Sequence, residues 1–225
     1  MRAISRTLLP ALGASALLVA GAGAALATTI SSGGAPYNGD VTVTNINATK
    51  LSGNSAFGTI TSTCTNVALG ATVASDGSGG TLNSVSLASC TNNYGGTDTY
   101  SVSGLPASGA TATYDSSHTN DRDGYLSVAA NPNVDVRASL NLVNLGMSGV
   151  CHYALSAGVT IDLFNNDNAN RPAPANGHSQ GTLTGQQLQL ASNPENAWWC
   201  PSVASGNGTY QVVADPSGAD LVIDA

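Results

Sequence analysis

One serine-containing turn and three histidines are the residues of this sequence whose types suit nucleophilic catalysis. Ser156 lies in residues 154–158 (ALSAG), one residue away from the G-x-S-x-G motif of serine hydrolases. The candidate bases are His118, His152 and His178. The motif needs a sharp turn from a strand into a helix, whereas residues 159–163 (VTIDL) alternate as a strand does. The sequence therefore favours an ordinary turn at Ser156, and no catalytic residue is predicted.

Asp121 and Asp123 are candidate ligands for a calcium ion, the one cofactor that the sequence suggests. They lie in residues 120–126 (NDRDGYL), where two carboxylates come just before the glycine of a predicted tight turn, as in oxygen-rich calcium loops. An EF-hand loop would end on a glutamate where this chain has Ala130, so the full motif is absent. A turn stabilised by Asx hydrogen bonds is the alternative explanation of the same residues.

Trp198, Trp199 and Tyr153 are the candidate binding residues. Trp198 and Trp199 directly precede Cys200, and adjacent residues of a strand point to opposite faces. We therefore expect one tryptophan to enter the core, against a disulfide, and the other to face solvent. An exposed indole can stack on a sugar ring or on the apolar surface of a partner.

Four cysteines, Cys64, Cys90, Cys151 and Cys200, predict two disulfides if the chain is exported, with three possible connectivities. Cys90 and Cys200 each begin the pattern C-x8-T-Y-x-V, which suggests two related halves, at about 40–130 and 131–225. Proximity along the chain and the repeat both favour pairing within halves, Cys64 with Cys90 and Cys151 with Cys200.

The first 27 residues have the features of a secretory signal peptide. Arg2 and Arg6 precede an apolar stretch, and residues 25–27 (ALA) match a small-residue cleavage site. No later apolar stretch approaches the roughly 20 residues that span a bilayer. The sequence therefore predicts a secreted, extracellular protein with a single domain at 28–225 and no membrane association after cleavage.

Charged residues make up only 8% of the chain. The predicted mature chain has four basic residues (Lys50, Arg122, Arg137 and Arg171) against thirteen acidic residues, a formal charge of −9. Nucleic-acid binding needs clustered lysine and arginine, so nucleic acid is not an expected partner. Glutamate occurs once, at Glu195, and the aspartates lie mostly beside Gly, Asn or Pro in predicted turns, so no carboxylate pair for glycoside hydrolysis stands out.

The elements that would position these residues are predicted to be strands. Valine, leucine and aromatic residues alternate with small polar ones between Gly, Asn, Asp and Pro breaks, most clearly over residues 134–142. The pattern predicts an all-β protein, an antiparallel β-sandwich or barrel-like fold of roughly ten to twelve strands. Residues 210–223 are expected to form a C-terminal hairpin. Residues 165–180, rich in Asn and Pro, are predicted to be a long loop, either functional or an inert insertion.

Several segments resemble uncharacterised four-cysteine, β-rich secreted proteins of actinobacteria. The resemblance rests on the Ala-rich export signal, the runs GTITSTC and GTLNSVSLASCTN, and the ending C-P followed by GNGTYQV. It covers about half of the mature chain in motifs of low complexity. It implies a β-rich fold and export, and it transfers no catalytic residue.

These observations favour a secreted, non-catalytic protein with a structural or ligand-binding role at a surface. The neutral Ser, Thr and Asn surface suits contact with a glycan or a cell wall as partner. One alternative is a secreted hydrolase that uses His, Asp and Ser residues of loops around 115–123 and 165–180. The other is a carrier of a small apolar ligand, for which an apolar cavity of about a few hundred Å³ would be the sign.

Overall fold

The computed structural model describes residues 27–225. The predicted signal peptide, residues 1–27, lies outside that range except for its last residue. Over the described range the chain forms fifteen strands, three short 3-10 turns and no α-helix, which confirms the all-β prediction. No helix in these residues is long and apolar enough to cross a membrane.

The strands follow one another through the chain with short connections. In the first half they are β1 (Thr29–Ser32), β2 (Ala35–Pro36), β3 (Gly39–Asn45), β4 (Thr49–Ser55), β5 (Gly58–Val73), β6 (Gly80–Asn92), β7 (Thr97–Ser103) and β8 (Ala107–Tyr114). In the second half they are β9 (Gly124–Val128), β10 (Asn131–Leu142), β11 (Met147–Leu155), β12 (Val159–Phe164), β13 (Gln180–Leu190), β14 (Val203–Ala214) and β15 (Leu221–Asp224). The 3-10 turns are Thr119–Asp121, Val143–Leu145 and Pro174–Asn176.

Twelve strands form one antiparallel sheet that closes into a barrel with eight wall positions. In order these are β3 with β4, β5, β6, β7 with β8, β9 with β10, β11 with β12, β13, and β14, which pairs back onto β3 and β4. Each paired label denotes two consecutive strands that run in the same direction, end to end. Neighbours in the wall are thus neighbours in sequence, the up-and-down arrangement, whose closure removes the free edges of a sandwich.

Three of the wall positions are interrupted partway along their length, where β7 gives way to β8, β9 to β10 and β11 to β12. At the first of these interruptions Gly104 has φ +79°, and a Cβ there would clash with the Asn133 carbonyl oxygen, so only glycine fits. Strand β6 makes no ladder pairing with this wall section between Leu82 and Cys90. Strand β13 likewise makes none between Thr182 and Gln189. The middle of the wall is therefore separated from its neighbours on both sides.

Alternation along the strands sends apolar side chains inward. Strand β10 shows this most clearly, because Val134, Ala138, Leu140 and Leu142 are buried while the intervening residues are more exposed. The predicted periodicity over residues 134–142 is confirmed. Since the outer face is built from Thr, Ser and Asn, the apolar surface of the protein is directed into the barrel.

One end of the barrel, the cap end, is covered by a three-stranded sheet of β15, β1 and β2 and by the loops at 115–123 and 165–179. Ile30, Leu221 and Ile223 are buried together there. The predicted hairpin over residues 210–223 forms only around its turn, where Val213 and Asp220 make an isolated antiparallel bridge and the Ala214 N–H donates to the Ala219 carbonyl oxygen. Strand β15 itself pairs with β1 and not with β14, which pairs with β13 up to Gln211 and with β3 and β4 on its other edge.

The opposite end, the aromatic end, is formed by the turns at 93–96 and 143–146 and by the segment 191–202. Trp199 is buried there with Leu142 and Cys151. The predicted disulfides are confirmed: Cys64–Cys90 joins β5 to β6, and Cys151–Cys200 fastens the segment 191–202 to β11. Strands from both predicted halves share the one barrel, and a relation between the halves stays a prediction.

Candidate functional site

The barrel encloses an apolar cavity of about 400 Å³. Its wall includes aliphatic side chains from every position around the barrel: Val41, Val43, Leu51, Ile60, Leu69, Leu82, Leu87, Val102, Val128, Val136, Ile161, Leu183, Leu188 and Val212. Eight-stranded barrels have interiors that are either filled by side chains or wide enough for one small ligand. This barrel belongs to the second kind.

Small residues on the inner face keep the cavity open. Gly80, Ala110 and Ala112 line it on the β6 and β8 side, and Gly181 and Gly206 line it on the β13 and β14 side. Protein interiors normally pack so densely that voids larger than a water molecule are few. A space of this volume therefore reflects the choice of small inward residues.

Three tyrosines project into the half of the barrel nearest the aromatic end. Tyr100 on β7 and Tyr153 on β11 lie on the strands that flank β10, and Tyr210 lies on β14. The Tyr210 hydroxyl accepts a hydrogen bond from Thr49 Oγ1 at 3.1 Å. The Tyr153 hydroxyl has no hydrogen-bond partner among residues 27–225.

Burial raises the pKa of each of these three phenols. It raises the pKa of Tyr100 to about 12, with the nearby Asp98 carboxylate adding to the rise and the Ser62 hydroxyl opposing it. Burial is also the main cause of the raised pKa values of Tyr153 and Tyr210. All three groups are therefore neutral at ordinary pH and can both donate and accept a hydrogen bond.

A buried carboxylate lies behind the tyrosines. Asp98 Oδ2 accepts a hydrogen bond from Ser62 Oγ at 2.6 Å, and Oδ1 accepts bonds from Asn92 Nδ2 at 2.6 Å and from the Asn141 backbone N–H at 3.3 Å. These bonds join β5, β6, β7 and β10 near the aromatic end. Asp98 is therefore paired within the wall and is not among the residues that line the cavity.

No charged side chain lines the cavity. In particular, the basic residues Lys50, Arg122, Arg137 and Arg171 all lie elsewhere in the fold. The lining is hydrocarbon with a few hydroxyl and amide groups, so it offers water few hydrogen-bond partners. Cavities of this kind can stay dry and take up apolar molecules.

The cavity borders the section of the wall where β6 does not pair with β7 and β8. Val85 and Leu87 of β6 and Tyr100 and Val102 of β7 line both the cavity and the section where the two strands do not pair. The corresponding gap beside β13 is bridged, because the Thr160 N–H donates to the Gln186 side-chain oxygen at 3.0 Å. Within residues 27–225 no hydrogen bond crosses the β6 gap, so it is the more open of the two.

The candidate binding residues separate into two locations. Tyr153 lines the cavity, whereas Trp199 is 3% exposed and Trp198 is 77% exposed. One tryptophan in the core and one in solvent is what the sequence predicts, but the predicted reason is wrong. Trp198 and Trp199 lie in a turn, and not on a strand.

Trp199 packs in the apolar cluster that includes Cys151 and, at its border, Cys200, so it covers the disulfide and the aromatic end. The exposed Trp198 contacts Phe57 edge to face, with ring centroids 5.4 Å apart. Phe57 is also exposed, so the pair forms a small aromatic patch on the outside of the aromatic end.

The candidate calcium ligands are not brought together as a metal site. Asp123 Oδ2 accepts hydrogen bonds from the Asn165 backbone N–H and from Asn168 Nδ2, which ties the loop 115–123 to the loop 165–179. Asp121 is exposed and has positive φ. The described part of the chain holds no cluster of three or more His, Cys, Asp or Glu side chains suited to a metal. The Asx hydrogen bond of this loop comes from Asp115, whose Oδ1 accepts from the Ser117 N–H, whereas Asp123 joins two loops.

The candidate catalytic groups lie apart from the cavity. His118 Nδ1 lies 3.1 Å from the Arg122 carbonyl oxygen, and His178 Nδ1 lies 3.0 Å from Asp220 Oδ1, both at the cap end. Neither histidine lines the cavity, and over residues 27–225 no serine hydroxyl bonds to a histidine ring. Ser156 lies in the irregular stretch between β11 and β12, and a strand, not a helix, follows it, so the strand-to-helix turn of the G-x-S-x-G motif is absent there.

His152, the third histidine, is buried on the outer side of β11. Its Nδ1 lies 2.9 Å from Asp135 Oδ2 and its Nε2 lies 3.4 Å from Glu195 Oε2. The Asn196 side-chain oxygen also accepts a hydrogen bond from the His152 backbone N–H. This arrangement anchors the segment 191–202 to β11, which is a structural task.

Sequence pattern alone did not predict Tyr100, Tyr210 and Asp98 as residues of the site. A signal for two of them was nevertheless present, because the repeat C-x8-T-Y-x-V contains both Tyr100 and Tyr210. That repeat places each tyrosine on an inward position of a strand that follows a disulfide cysteine.

Comparison of the chain with protein-family models, with curated protein sequences and with solved structures finds no match. The cavity and the groups around it are therefore the features that bear on function.

Proposed function

We propose that this protein is an exported carrier that binds one small apolar molecule inside its barrel. The observation that carries the proposal is the enclosed cavity of about 400 Å³ with an uncharged, aliphatic wall. Pockets for small ligands are typically about 300–1,000 Å³ and mostly apolar, with a few polar groups that orient the ligand. The cavity matches this description.

Transfer of an apolar ligand out of water supplies the binding energy. Each Å² of apolar surface removed from water contributes about 25 cal/mol, and the barrel can surround a ligand on all sides. The lateral gap at β6 supplies a route that leaves both closed ends intact. An apolar molecule would therefore gain affinity without any charged contact.

Export is part of the proposal and has its own support. The N-terminal 27 residues match a signal peptide, and two disulfides suit an oxidising compartment. The resemblance to four-cysteine secreted proteins points the same way. A cross-linked barrel would protect an apolar cargo outside the cell, where no chaperone restores an unfolded carrier.

A fluorescence titration tests the carrier function. N-phenyl-1-naphthylamine, a neutral dye that brightens in apolar surroundings, should bind to the oxidised protein at about one molecule per chain, and 1-octanol should displace it. Leu87→Trp should weaken dye binding by about tenfold or more, because Leu87 lines the cavity. Ser86→Trp, on the exposed face of the same strand, is the matched control and should bind like wild type. Absence of dye binding to the wild-type protein would rule the carrier out.

A second candidate function is contact with a glycan or cell-wall surface. The observation that favours it is the exposed indole of Trp198 beside Phe57 on the aromatic end. A pull-down with purified cell walls or peptidoglycan should retain wild-type protein and release Trp198→Ala. Equal retention of both proteins, or of neither, would remove this candidate and leave the carrier proposal untouched.

A further inference from the structure

The Tyr153 hydroxyl is a buried polar group without a partner. The side chain is 5% exposed, and the hydroxyl forms no hydrogen bond with any residue of the range 27–225. Several other polar groups on the cavity wall are paired, for example Thr49 with Tyr210 and Ser52 with Ser205. Because the protein supplies no partner, the hydrogen-bonding capacity of this hydroxyl is left to whatever occupies the cavity.

The Tyr153 hydroxyl differs from the other unpaired hydroxyls of the wall region. The oxygens of Ser179 and Thr182 are completely covered by protein atoms, so no ligand reaches them. The Tyr153 oxygen is not among these covered atoms, and its side chain faces the cavity. The hydroxyl is therefore available to a molecule that fills the cavity.

The charges around this hydroxyl determine which ligands it suits. The cavity wall has no lysine, arginine or histidine that could neutralise an anion. The Asp98 carboxylate is buried in the wall close to Tyr100, and it would repel an anionic group at low dielectric. Its oxygens already accept three hydrogen bonds, so it does not offer a free partner to a cation. An ionised ligand would lose its hydration and gain no counter-charge.

We infer that the cavity binds an uncharged amphiphile, an apolar molecule with a single alcohol, carbonyl or similar neutral group that hydrogen bonds to the Tyr153 hydroxyl. This inference rests on the proposed carrier function and specifies its ligand class. The aliphatic wall holds the hydrocarbon part, and Tyr153 orients the polar group toward the aromatic end. Long-chain carboxylates are disfavoured, because the cavity wall has no basic side chain to neutralise them.

Three probes that share an eight-carbon chain and differ in the polar group test the inference: 1-octanol, octanoate and octylammonium. Each is titrated at neutral pH against the oxidised protein loaded with N-phenyl-1-naphthylamine, and dye displacement is measured. The wild-type protein should bind 1-octanol more than about 100-fold more tightly than octanoate, because burial of an unpaired charge is strongly unfavourable. Octylammonium should also bind far more weakly than 1-octanol.

Substitution at the hydroxyl supplies the second measurement. Tyr153→Phe keeps the ring and should weaken 1-octanol binding by roughly 3–10-fold, the range for one hydrogen bond, while dye affinity stays unchanged. Tyr125→Phe is the matched control, because Tyr125 stacks on Arg122 on the outer face of β9, and it should bind 1-octanol like wild type.

The outcomes separate the inference from the carrier function. Three results would each overturn the ligand class: octanoate binding as tightly as 1-octanol, octylammonium binding more tightly than 1-octanol, or Tyr153→Phe binding 1-octanol as tightly as the wild-type protein does. Dye binding in the same experiments would leave the carrier function standing. Failure of the dye and of all three probes to bind would overturn the carrier function itself.

Discussion

The two ends of the barrel are closed by different physical means. At the aromatic end, the Cys151–Cys200 disulfide and the buried Trp199 hold the segment 191–202 over the opening. At the cap end, hydrogen bonds and ion pairs dominate the loops, with Arg122 bonded to Asp115 at 2.7 Å and to Asp162 at 2.6 Å. The aromatic end adds a disulfide and a buried indole, which do not titrate, to the His152–Glu195 contact that helps to anchor the segment 191–202, whereas the cap-end loops depend mainly on ionised carboxylates.

This difference assigns the proposed ligand anchor to the aromatic end and the pH-dependent part of the stability to the cap end. The tyrosines that face the cavity are near the aromatic end, so the rigid closure keeps the proposed anchor in place. The charged groups at the cap end face the loops and not the cavity. Four variants test whether the two ends differ in this way.

Removal of the Cys151–Cys200 disulfide should have the largest effect. The bridge spans 49 residues, for which the chain-entropy model gives a loss of about 4 kcal/mol in unfolding free energy when both cysteines become alanine. Denaturant unfolding measures the loss, and a red shift of tryptophan emission should accompany it. The control is the Cys64→Ala, Cys90→Ala protein, whose bridge spans 26 residues and should cost slightly less without exposing Trp199. Equal emission spectra would contradict the assignment of the bridge to end closure.

Trp199→Ala should destabilise the protein by about 3–4 kcal/mol, because a large buried side chain is deleted. Trp198→Ala is the adjacent control, and its stability should remain within about 0.5 kcal/mol of wild type since the indole is exposed. Thermal unfolding of both variants makes the comparison. A larger loss for Trp198→Ala would reverse the two roles.

Asp115→Asn should destabilise the cap end by about 1–2 kcal/mol at neutral pH, as hydrogen bonds to a charged group are lost. The Ser117 hydroxyl and then the Arg122 guanidinium hold the pKa of Asp115 well below its usual range. A carboxyl whose pKa is lowered by folding stabilises the native state above its unfolded pKa of about 4, and that contribution is lost as pH falls further. Unfolding measured from neutral pH down to about pH 2 should show a shallower acid limb for Asp115→Asn. An unchanged acid limb would show that Asp115 does not contribute to acid stability.

Tyr153→Phe should have the smallest effect on stability, within about 0.5 kcal/mol of wild type, because its hydroxyl has no partner to lose. Tyr210→Phe loses the bond from Thr49 and should cost about 1 kcal/mol. Denaturant midpoints of the two variants, measured without ligand, give the comparison. A large loss for Tyr153→Phe would indicate a structural bond in place of an open anchor.

Much of the fold was predictable from local pattern. The alternation over residues 134–142 predicted β10, and the cysteine spacing favoured the two disulfides that form. The C-terminal hairpin was predictable only at its turn, since residues 215–218 do not reveal that β15 leaves β14 and occupies the edge of β1. Edge occupancy is a property of the whole sheet.

The candidate site was predictable only in part. Tyr153 was named as a binding residue, but for assistance to a tryptophan surface and not for a place on a cavity wall. One of Trp198 and Trp199 was correctly expected to be buried and the other exposed, although both residues lie in a turn and not on a strand. Whether inward residues fill a space or leave it open depends on the position of the opposite wall, which no local pattern contains.

The sequence by itself determined the all-β class and an interior made from the alternating apolar positions, because side-chain periodicity and turn chemistry are local. Closure into a barrel, the empty volume and the unpaired Tyr153 hydroxyl were decided only by tertiary structure. These features arise from contacts between residues far apart in the chain, since β14 must meet β3 and β4 before an interior exists. The chemistry proposed for this protein follows from that enclosed space.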